Sequence, residues 1–270
     1  MQNVTINDLL VAGAHFGHLT RRWNPKMKKY IFMERNGIHI IDLKKTLELL
    51  KEAQKAVIDI VRDGDNILFV GTKNQAKDII KVEAERCGQF YITERWLGGT
   101  LTNFSTIKKS IKRMKNLQKM ATDGTYEKLT KKEILSRERE LAKLTKVLGG
   151  IQDMNRLPGA LFVVDTKKEQ IAVAEANRLG IPVIGMVDTN ADPTPIDFPI
   201  PCNDDAFKSI ALIARAISDA VLEAKSGVAE ADQAQVEGGA EATETAAAAE
   251  AQKEGGAPGV EAKEESPVTE

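Results

Sequence analysis

Three short apolar runs constrain the fold of this chain more than any other feature. Ile67–Val70, Leu161–Val164 and Val183–Val187 are almost continuously apolar, as expected of strands in a parallel sheet covered by helices on both faces. Segments with helical periodicity alternate with these runs. They are Lys44–Val61, Asn74–Cys87, Lys168–Leu179 and Asp205–Lys225. The alternation predicts an α/β fold with three layers, in which a parallel sheet of Rossmann-like or flavodoxin-like type lies between helices.

The residues before this alternation predict smaller elements. Apolar residues at helical spacing between Ile6 and Ala14, with Thr5 or Asn7 as the cap, indicate a short helix. Tyr30–Met33 and Gly37–Ile41 are typical of two short strands. The Asn-Gly pair between them favours the positive φ angles of a tight turn, so these strands are predicted to form a hairpin.

Residues 107–148 interrupt the alternation of strands and helices. They contain no strand pattern and carry thirteen basic residues against five acidic ones. One apolar stripe runs from Ile107 to Ala121 and a second from Leu135 to Leu148, with Asp123-Gly124 placed to turn the chain. The segment is predicted to be an antiparallel coiled-coil helical hairpin, inserted into an α/β domain of residues 1–106 plus 149–226.

The C-terminal segment, residues 227–270, differs sharply in charge from the rest of the chain. It contains eleven acidic residues and two lysines and no aromatic residue, so it is predicted to be a disordered acidic tail. The formal net charge of the whole chain is −1, which leaves +8 on residues 1–226. A basic body of this kind attracts polyanions by counterion release.

Several classes of protein are disfavoured by the sequence. The two cysteines, Cys87 and Cys202, are far apart and suggest reduced thiols rather than a disulfide framework or zinc ribbon. The chain shows neither a signal-peptide core nor an apolar run of about 18 residues that could span a bilayer. We therefore expect a cytoplasmic protein with no membrane partner.

A basic segment between residues 21 and 30 is the first candidate for function. Arginine and lysine side chains can bind phosphates, and an aromatic side chain can stack on an unpaired base. Pro25 resists helix, so the segment is predicted to be an extended loop. The alternative is a solvated run of charge with the tryptophan anchored in the core. The candidate RNA-binding residues are Arg21, Arg22, Trp23, Lys26, Lys28 and Lys29.

Two further segments are candidates for RNA contact. Spacings of three and four place several cations on one face of the first hairpin helix, although such a face also occurs simply for solubility. A Gly-Gly loop just before it permits close backbone approach to a phosphate, although a turn packed under Trp96 and Phe104 explains it equally well. The candidate residues are Lys108, Lys109, Lys112, Arg113 and Lys115 on the helix, and Arg95, Thr100 and Asn103 in the loop.

An enzyme is the rival hypothesis. Polar residues follow three predicted strands, at Gly71-Thr72-Lys73, Asp165-Thr166-Lys167 and Asp188-Thr189-Asn190, where open α/β sheets usually bind ligands. However, the sequence has no phosphate-binding or dinucleotide-binding glycine motif. These residues are more often helix caps and turns. We therefore predict no catalysis and no cofactor.

Two groups of residues could in principle bind a metal. His15 and His18 lie three positions apart, but a third ligand would have to come from elsewhere in the chain. An acidic cluster is the other candidate, and its members are Asp188, Asp192, Asp204 and Asp205. For both groups an ordinary structural role is favoured, so we predict no metal.

Five long stretches of the chain resemble one known family. They are LLVAGAHFGHLTRRWNPKMKKYIF, RNGIHIIDLKKT, FVGTKNQA, RWLGGTLTNFSTI and the segment from LPGALFVVDTKKEQ to IDFPIPCNDDA. In this order they are similar to bacterial small-subunit ribosomal protein two along nearly all of residues 1–226. The resemblance implies a parallel-sheet domain with an inserted coiled-coil hairpin, seated on small-subunit ribosomal RNA among neighbouring small-subunit proteins. It also implies a role in attaching ribosomal protein one, which captures messenger RNA, and it implies no catalysis.

Overall fold

The N-terminal residues form a short helix. A computed structural model describes residues 4–123 and 129–227. Helix α1, Ile6–Val11, is capped by Thr5, whose hydroxyl accepts from the Asp8 amide while the Asp8 carboxylate accepts from the Thr5 amide. This reciprocal capping box satisfies donors that a helix start otherwise leaves unpaired. The helix is shorter than the predicted span to Ala14.

A small antiparallel sheet follows α1. Its strands are β1 (Phe16–Leu19), β2 (Ile31–Arg35) and β3 (Ile38–Ile41), in the order β1-β3-β2. Arg35 pairs with Ile38 across a two-residue turn, in which Asn36 and Gly37 have φ angles of 53° and 72°. Both angles are positive, as this type of hairpin turn requires. The predicted hairpin is therefore confirmed, whereas β1 was not predicted.

The central sheet contains five parallel strands. They are β4 (Ile67–Val70), β5 (Phe90–Ile92), β6 (Ala160–Val164), β7 (Val183–Val187) and β8 (Phe198–Pro201), in the order β5-β4-β6-β7-β8. Leu68 pairs with Phe90 on one side and with Leu161 on the other. The three predicted strands occupy the middle of the sheet. The two strands that the sequence pattern did not predict, β5 and β8, lie at its edges.

Helices cover both faces of this sheet. Helices α2 (Leu43–Arg62), α3 (Lys77–Arg86) and α7 (residues 207–227) contribute to the apolar core that contains Phe69 and Phe162. Helices α4 (Phe104–Thr122), α5 (Lys131–Leu148) and α6 (Gln170–Leu179) contribute to the core on the other face, around Leu68 and Val163. Alternate residues of a strand point to opposite faces, which explains why neighbouring residues of β4 belong to different cores. The predicted three-layer α/β architecture is confirmed.

Helices α4 and α5 contain most of the predicted insertion. Ile107, Ile111, Met114 and Leu117 of α4 are buried, whereas Leu141 and Leu144 of α5 are half-buried. The Arg113 guanidinium donates to both oxygens of the Glu140 carboxylate, one of them at 2.8 Å. Gly124 of the predicted turn lies outside the described residues.

The predicted acidic tail also lies outside the described residues, apart from Gly227. That residue still belongs to α7, so the helix continues past its predicted end at Lys225. Within residues 4–123 and 129–227, no helix combines the length and the hydrophobicity needed to cross a membrane.

Candidate nucleic-acid interface

The basic segment, residues 21–30, does not form the predicted extended loop. Most of it lies in two short 3₁₀ helices, Thr20–Arg22 and Pro25–Tyr30. The side chain of Asn24 accepts a hydrogen bond from the Lys26 amide at 2.9 Å, which caps the second helix. Proline is favoured directly after such a cap, because it needs no amide partner there and its φ angle is already helical. The prediction of an extended loop, which rested on Pro25, was therefore wrong, because this proline starts a short helix that Asn24 caps.

Apolar and aromatic side chains hold the basic segment against the body. Met27 and Tyr30 are buried. Trp23 is half-buried, and its ring centroid lies 5.1 Å from that of His39. The backbone amide of Asn24 donates to the carbonyl of Thr189 at 2.7 Å, which joins the segment to the end of β7. The segment is thus a rigid platform, and Trp23 serves as one of its anchors.

The cations of the basic segment point outwards. Arg21, Arg22, Lys28 and Lys29 are exposed. Lys26 is also exposed and forms an ion pair of 2.7 Å with Asp192, whose pKa is lowered to about 2 chiefly by that contact. Among the residues that the structure describes, no ion pair neutralises the other four cations. They form a surface of uncompensated positive charge.

The Gly-Gly loop, residues 93–103, is closed by an internal carboxylate. Glu175 of α6 accepts from the amides of Gly99, Leu101 and Thr102 at 2.7, 3.0 and 3.1 Å. It also accepts from the Trp96 indole and the Thr102 hydroxyl, both at 3.1 Å. Burial raises the pKa of Glu175, but these hydrogen bonds outweigh it and the pKa is lowered. The backbone donors that could have bound a phosphate therefore already bind an anion of the protein itself.

The candidate residues of the Gly-Gly loop are placed unequally. Arg95 and Asn103 are exposed. Thr100 is only 1% exposed, and its hydroxyl donates to the Leu97 carbonyl. A side chain so enclosed cannot reach a nucleic acid, so Thr100 does not belong to this interface. The packed-turn interpretation of the loop accounts for Thr100, Trp96 and Gly99, whose φ angle is +89° and whose amide donates to Glu175.

The five candidate cations of α4 are all exposed, but three have partners within the chain. Arg113 pairs with Glu140, and Lys115 lies 2.9 Å from Asp153. Lys108 donates to the Asn155 carbonyl and lies 4.9 Å from the centre of the Phe104 ring. Lys109 and Lys112 make no ion pair within the described residues. Exposed ion pairs are worth little, so the paired cations can also exchange their partners for phosphates.

Charged residues of the chain itself occupy the crevice between the ends of β4 and β6. After β4 the chain continues to β5 on one side, whereas after β6 it continues to β7 on the other side. Sheets with such a change in strand order usually bind ligands at that point. Lys73 lies 3.4, 2.7 and 2.6 Å from carboxylate oxygens of Asp165, Asp204 and Asp205. The Thr72 amide and hydroxyl donate to Glu169. Thr72, Lys73 and Asp165, three of the residues that suggested an enzyme, are thus engaged by other groups of the chain.

One group of donors beside this crevice could hold a small divalent cation. His18 Nδ1 lies 3.0 Å from Asp188 and its Nε2 lies 3.5 Å from Asp205, and one donor atom from each residue fits within 4.8 Å of the others. Imidazole and carboxylate are suitable ligands for such an ion. A hydrogen bond to Asp188 raises the pKa of His18, and burial raises the pKa of Asp204 to about 7.

The two candidate metal groups from the sequence are not reproduced in their original membership. The imidazole of His15 packs against Phe16, with ring centroids 4.0 Å apart, and does not join His18 in the donor set. Asp192 is bound to Lys26 and to the Thr194 amide and does not belong to that set either. The donor set therefore combines His18 from the first group with Asp188 and Asp205 from the second.

The structural roles of two residues were not predicted from the sequence, although Lys73 was among the polar residues that follow the predicted strands. Glu175 and Lys73 act through partners that are 73 or more positions away along the chain. Local spacing carries no signal for contacts of this length. A glutamate among the apolar residues Ala172, Val173 and Ala176 was the only available hint.

Comparison with known proteins identifies what this chain is similar to. The family model described as "Ribosomal protein S2" matches residues 9–224. A curated relative from Koribacter versatilis, named small ribosomal subunit protein uS2, is 58% identical over 237 residues. That match covers 88% of this chain and 78% of the relative.

Proposed function

Because the chain belongs to the ribosomal protein S2 family, and is thus a structural component of the small ribosomal subunit, we propose that it binds small-subunit ribosomal RNA through its basic segment and α4. The family consists of ribosomal structural proteins and not of enzymes. The protein would act in the cytoplasm, bound to the ribosome. It would require no cofactor for this role.

The observation that carries the proposal is the platform of uncompensated cations on the basic segment. Arg21, Arg22, Lys28 and Lys29 are exposed on two short helices anchored by Met27 and Tyr30. Because the backbone of the segment is already held in place, binding does not have to order it, and each cation that meets a phosphate releases counterions. Arginine can also form two parallel hydrogen bonds with one phosphate.

The proposed interface contains this platform and further exposed residues of the Gly-Gly loop and α4. Folded RNA hides most base edges in a deep groove, so phosphates and ribose hydroxyls are the groups most readily contacted. Exposed cations and polar side chains suit such contacts. The proposed interface contains Arg21, Arg22, Trp23, Lys26, Lys28, Lys29, Arg95, Asn103, Lys108, Lys109, Lys112, Arg113 and Lys115.

Helices α4 and α5 would present part of this interface as an antiparallel coiled-coil hairpin. The buried residues of α4 recur every three or four positions, as in a helix-packing seam. Arg113 contacts Glu140, and the Arg137 guanidinium lies 3.5 Å from the Met120 sulfur, so residues later in α5 meet residues earlier in α4. This order of contacts supports an antiparallel arrangement.

Exposed apolar side chains on the small antiparallel sheet support the proposed attachment of ribosomal protein one. Phe16, Leu19, Phe32 and Met33 are exposed on its edge strands β1 and β2, and Phe32 is 70% exposed. Aromatic side chains are enriched in surfaces that bind other proteins. Phe32→Ala should weaken capture of purified ribosomal protein one by small subunits while leaving RNA binding unchanged. Equal capture by wild-type and variant subunits would assign this surface to another neighbour.

The proposed RNA interface is tested by removing two cations of the basic segment. Arg21→Ala/Arg22→Ala should reduce incorporation into small subunits in a quantitative competition against the wild-type protein. The free energy of unfolding should change by less than about 1 kcal/mol, because both side chains are exposed. Lys51→Ala/Lys55→Ala is the matched control, since it removes the same charge from the exposed face of α2. Equal incorporation of the Arg21/Arg22 variant and the wild-type protein would reject the proposed role of the basic segment.

A further inference from the structure

A cavity beside the basic segment has no role in the function described so far. It has a volume of about 460 Å³ and lies beyond the carboxyl ends of β6 and β7, along one face of α6. This volume is within the range of small-molecule sites in proteins. We call it the carboxamide pocket, after the four asparagine and glutamine side chains in its lining. Its polar lining includes Asn24, Thr166, Lys167, Gln170, Asn177 and Asn190.

Two polar atoms in this lining are buried without a partner. Within the described residues, the Thr166 hydroxyl and the side-chain carbonyl of Asn190 make no hydrogen bond. Thr166 is only 6% exposed. A buried polar group that makes no hydrogen bond costs free energy, so such atoms usually have a partner in the functional state. Both residues follow the carboxyl ends of strands, where sheets of this kind bind ligands.

The charge of the pocket favours a neutral ligand over a free anion. Lys167 is the one cation in the lining, and Asp192, the one acidic residue, is paired with Lys26 at 2.7 Å. The remaining polar groups are carboxamides and a hydroxyl, which can both donate and accept. Val173, Ala174 and Pro195 supply apolar walls. A flat ring with donors and acceptors on its edge matches this combination.

The basic segment indicates where such a ring would come from. Asn24 belongs both to the basic segment and to the pocket, and Lys26 reaches the rim through Asp192. RNA bound to the exposed cations of the segment therefore passes the mouth of the pocket. Asparagine and glutamine side chains pair with base edges, and unpaired bases of RNA are the ones that proteins read in this way.

We propose that the carboxamide pocket receives the base of one unpaired nucleotide of the ribosomal RNA. The exposed Gln170 carboxamide meets the edge of the base, a rotation of the Thr166 side chain brings its hydroxyl to the same edge, and Lys167 lies outside near the phosphate. This inference rests on the proposed binding of ribosomal RNA at the basic segment. It adds recognition of one base to a surface that otherwise contacts only the RNA backbone.

The test uses small subunits that lack this protein, reconstituted with the purified full-length chain. Dimethyl sulfate and a carbodiimide probe the pairing edges of the bases, and hydroxyl radicals probe the riboses. Thr166→Val removes the hydroxyl without changing the shape of the side chain, and Gln170→Ala removes an exposed carboxamide. Ile171→Ala is the control, because this exposed residue lies on the same helix but does not line the pocket.

The wild-type protein should protect one unpaired base within the ribose footprint. Both pocket variants should raise the reactivity of that base about fivefold, the change in equilibrium that one lost buried hydrogen bond produces. Ribose protection should remain, and Ile171→Ala should behave as the wild type. Unchanged base protection in both variants, or protection that requires another ribosomal protein, would overturn the pocket alone. Absence of any ribose footprint with the wild-type protein would overturn RNA binding itself, and the pocket with it.

Discussion

Glu175 holds the Gly-Gly loop in place by accepting five hydrogen bonds. Replacing it by glutamine keeps the shape but turns an NH₂ group towards backbone amides, which are themselves donors. Glu175→Gln should therefore lower the free energy of unfolding by about 2 kcal/mol, as expected for lost hydrogen bonds to a buried charge. Urea unfolding at pH 7 measures this difference. Glu138→Gln, at an exposed position on α5, should have almost no effect.

The stability difference between the wild type and Glu175→Gln should depend on pH. The pKa of Glu175 in the folded protein lies below its ordinary value of 4.5. The carboxylate therefore stabilises the fold fully above that value, and the stabilisation is lost as the pH falls through the lowered pKa. The difference between the wild type and Glu175→Gln should shrink in acid. A difference that grew below pH 4.5 would contradict this assignment.

Two adjacent glycines after α5 should respond differently to alanine. A Cβ atom added to Gly150 would lie 2.2 Å from the Tyr91 carbonyl oxygen of β5, whereas one added to Gly149 would lie no closer than 3.8 Å to a neighbour. Gly150→Ala should destabilise the protein by about 3 kcal/mol, because the backbone of β5 cannot move aside cheaply. Gly149→Ala should stabilise it by about 0.5 to 1 kcal/mol by restricting the unfolded chain. Similar unfolding midpoints for the two variants would show that Gly150 does not approach the Tyr91 carbonyl this closely.

Lys109 and Lys112 are the two candidate cations of α4 that make no ion pair within the described residues, and removing them should change the salt dependence of RNA binding. Lys109→Ala/Lys112→Ala should make the slope of log affinity against log salt shallower by about 1.4 to 1.8, since each phosphate contact releases about 0.7 to 0.9 counterions. The measurement is a salt titration of both proteins on the same ribosomal RNA fragment. Lys51→Ala/Lys55→Ala should leave the slope unchanged. If the Lys109/Lys112 slope also stayed unchanged, α4 would contact protein instead of phosphate.

Strands β5 and β8, which the sequence patterns did not predict, are both weak strand signals at the edges of the central sheet. Strand β5 has only three residues, and β8 contains Pro199 and Pro201. Proline cannot donate to a neighbouring strand, so it is tolerated only where one side of the strand is unpaired, as at the edges of this sheet. The buried central strands are nearly continuous apolar runs of four or five residues and were predicted. Periodicity thus identifies the centre of a parallel sheet more readily than its edges.

The candidate interface was predictable only in part, for a related reason. The cations near Arg21 and Lys109 are visible as local clusters of charge in the sequence. The closure of the Gly-Gly loop, in which Thr100 is enclosed, involves Glu175, which lies on another element. Tertiary contacts therefore decide which hydrogen-bond donors remain free to bind RNA, and these contacts cannot be predicted from local spacing.

The whole molecule combines a basic body with an acidic C-terminal segment. Removing residues 228–270 leaves a chain of formal charge +8, compared with −1 for the full chain. Truncation after Gly227 should therefore raise affinity for unrelated RNA at low salt, because long-range attraction follows net charge. The free energy of unfolding should change by less than about 0.5 kcal/mol, since the removed sequence has few large apolar residues to bury.

A second variant separates charge from length in this experiment. Replacing the acidic residues of 228–270 by their amides keeps the chain length but removes the negative charge. It should bind unrelated RNA as strongly as the truncated protein does. If only the truncated protein gained affinity, the effect of the segment would be one of length and not of charge.

The anchoring of the basic segment at Thr189 sets an order of events during synthesis. The His18 amide donates to the Thr189 hydroxyl at 2.8 Å, and the Asn24 amide donates to the Thr189 carbonyl, across 171 and 165 positions of the chain. A growing chain makes its N-terminal residues first, and their long-range partners come later. The basic segment is therefore among the first parts to leave the translating ribosome but cannot be fastened in place until β7 has emerged. Until Thr189 has emerged, a nascent chain should present these cations on an unfastened segment, so recognition of folded RNA is postponed until synthesis of the domain is nearly complete.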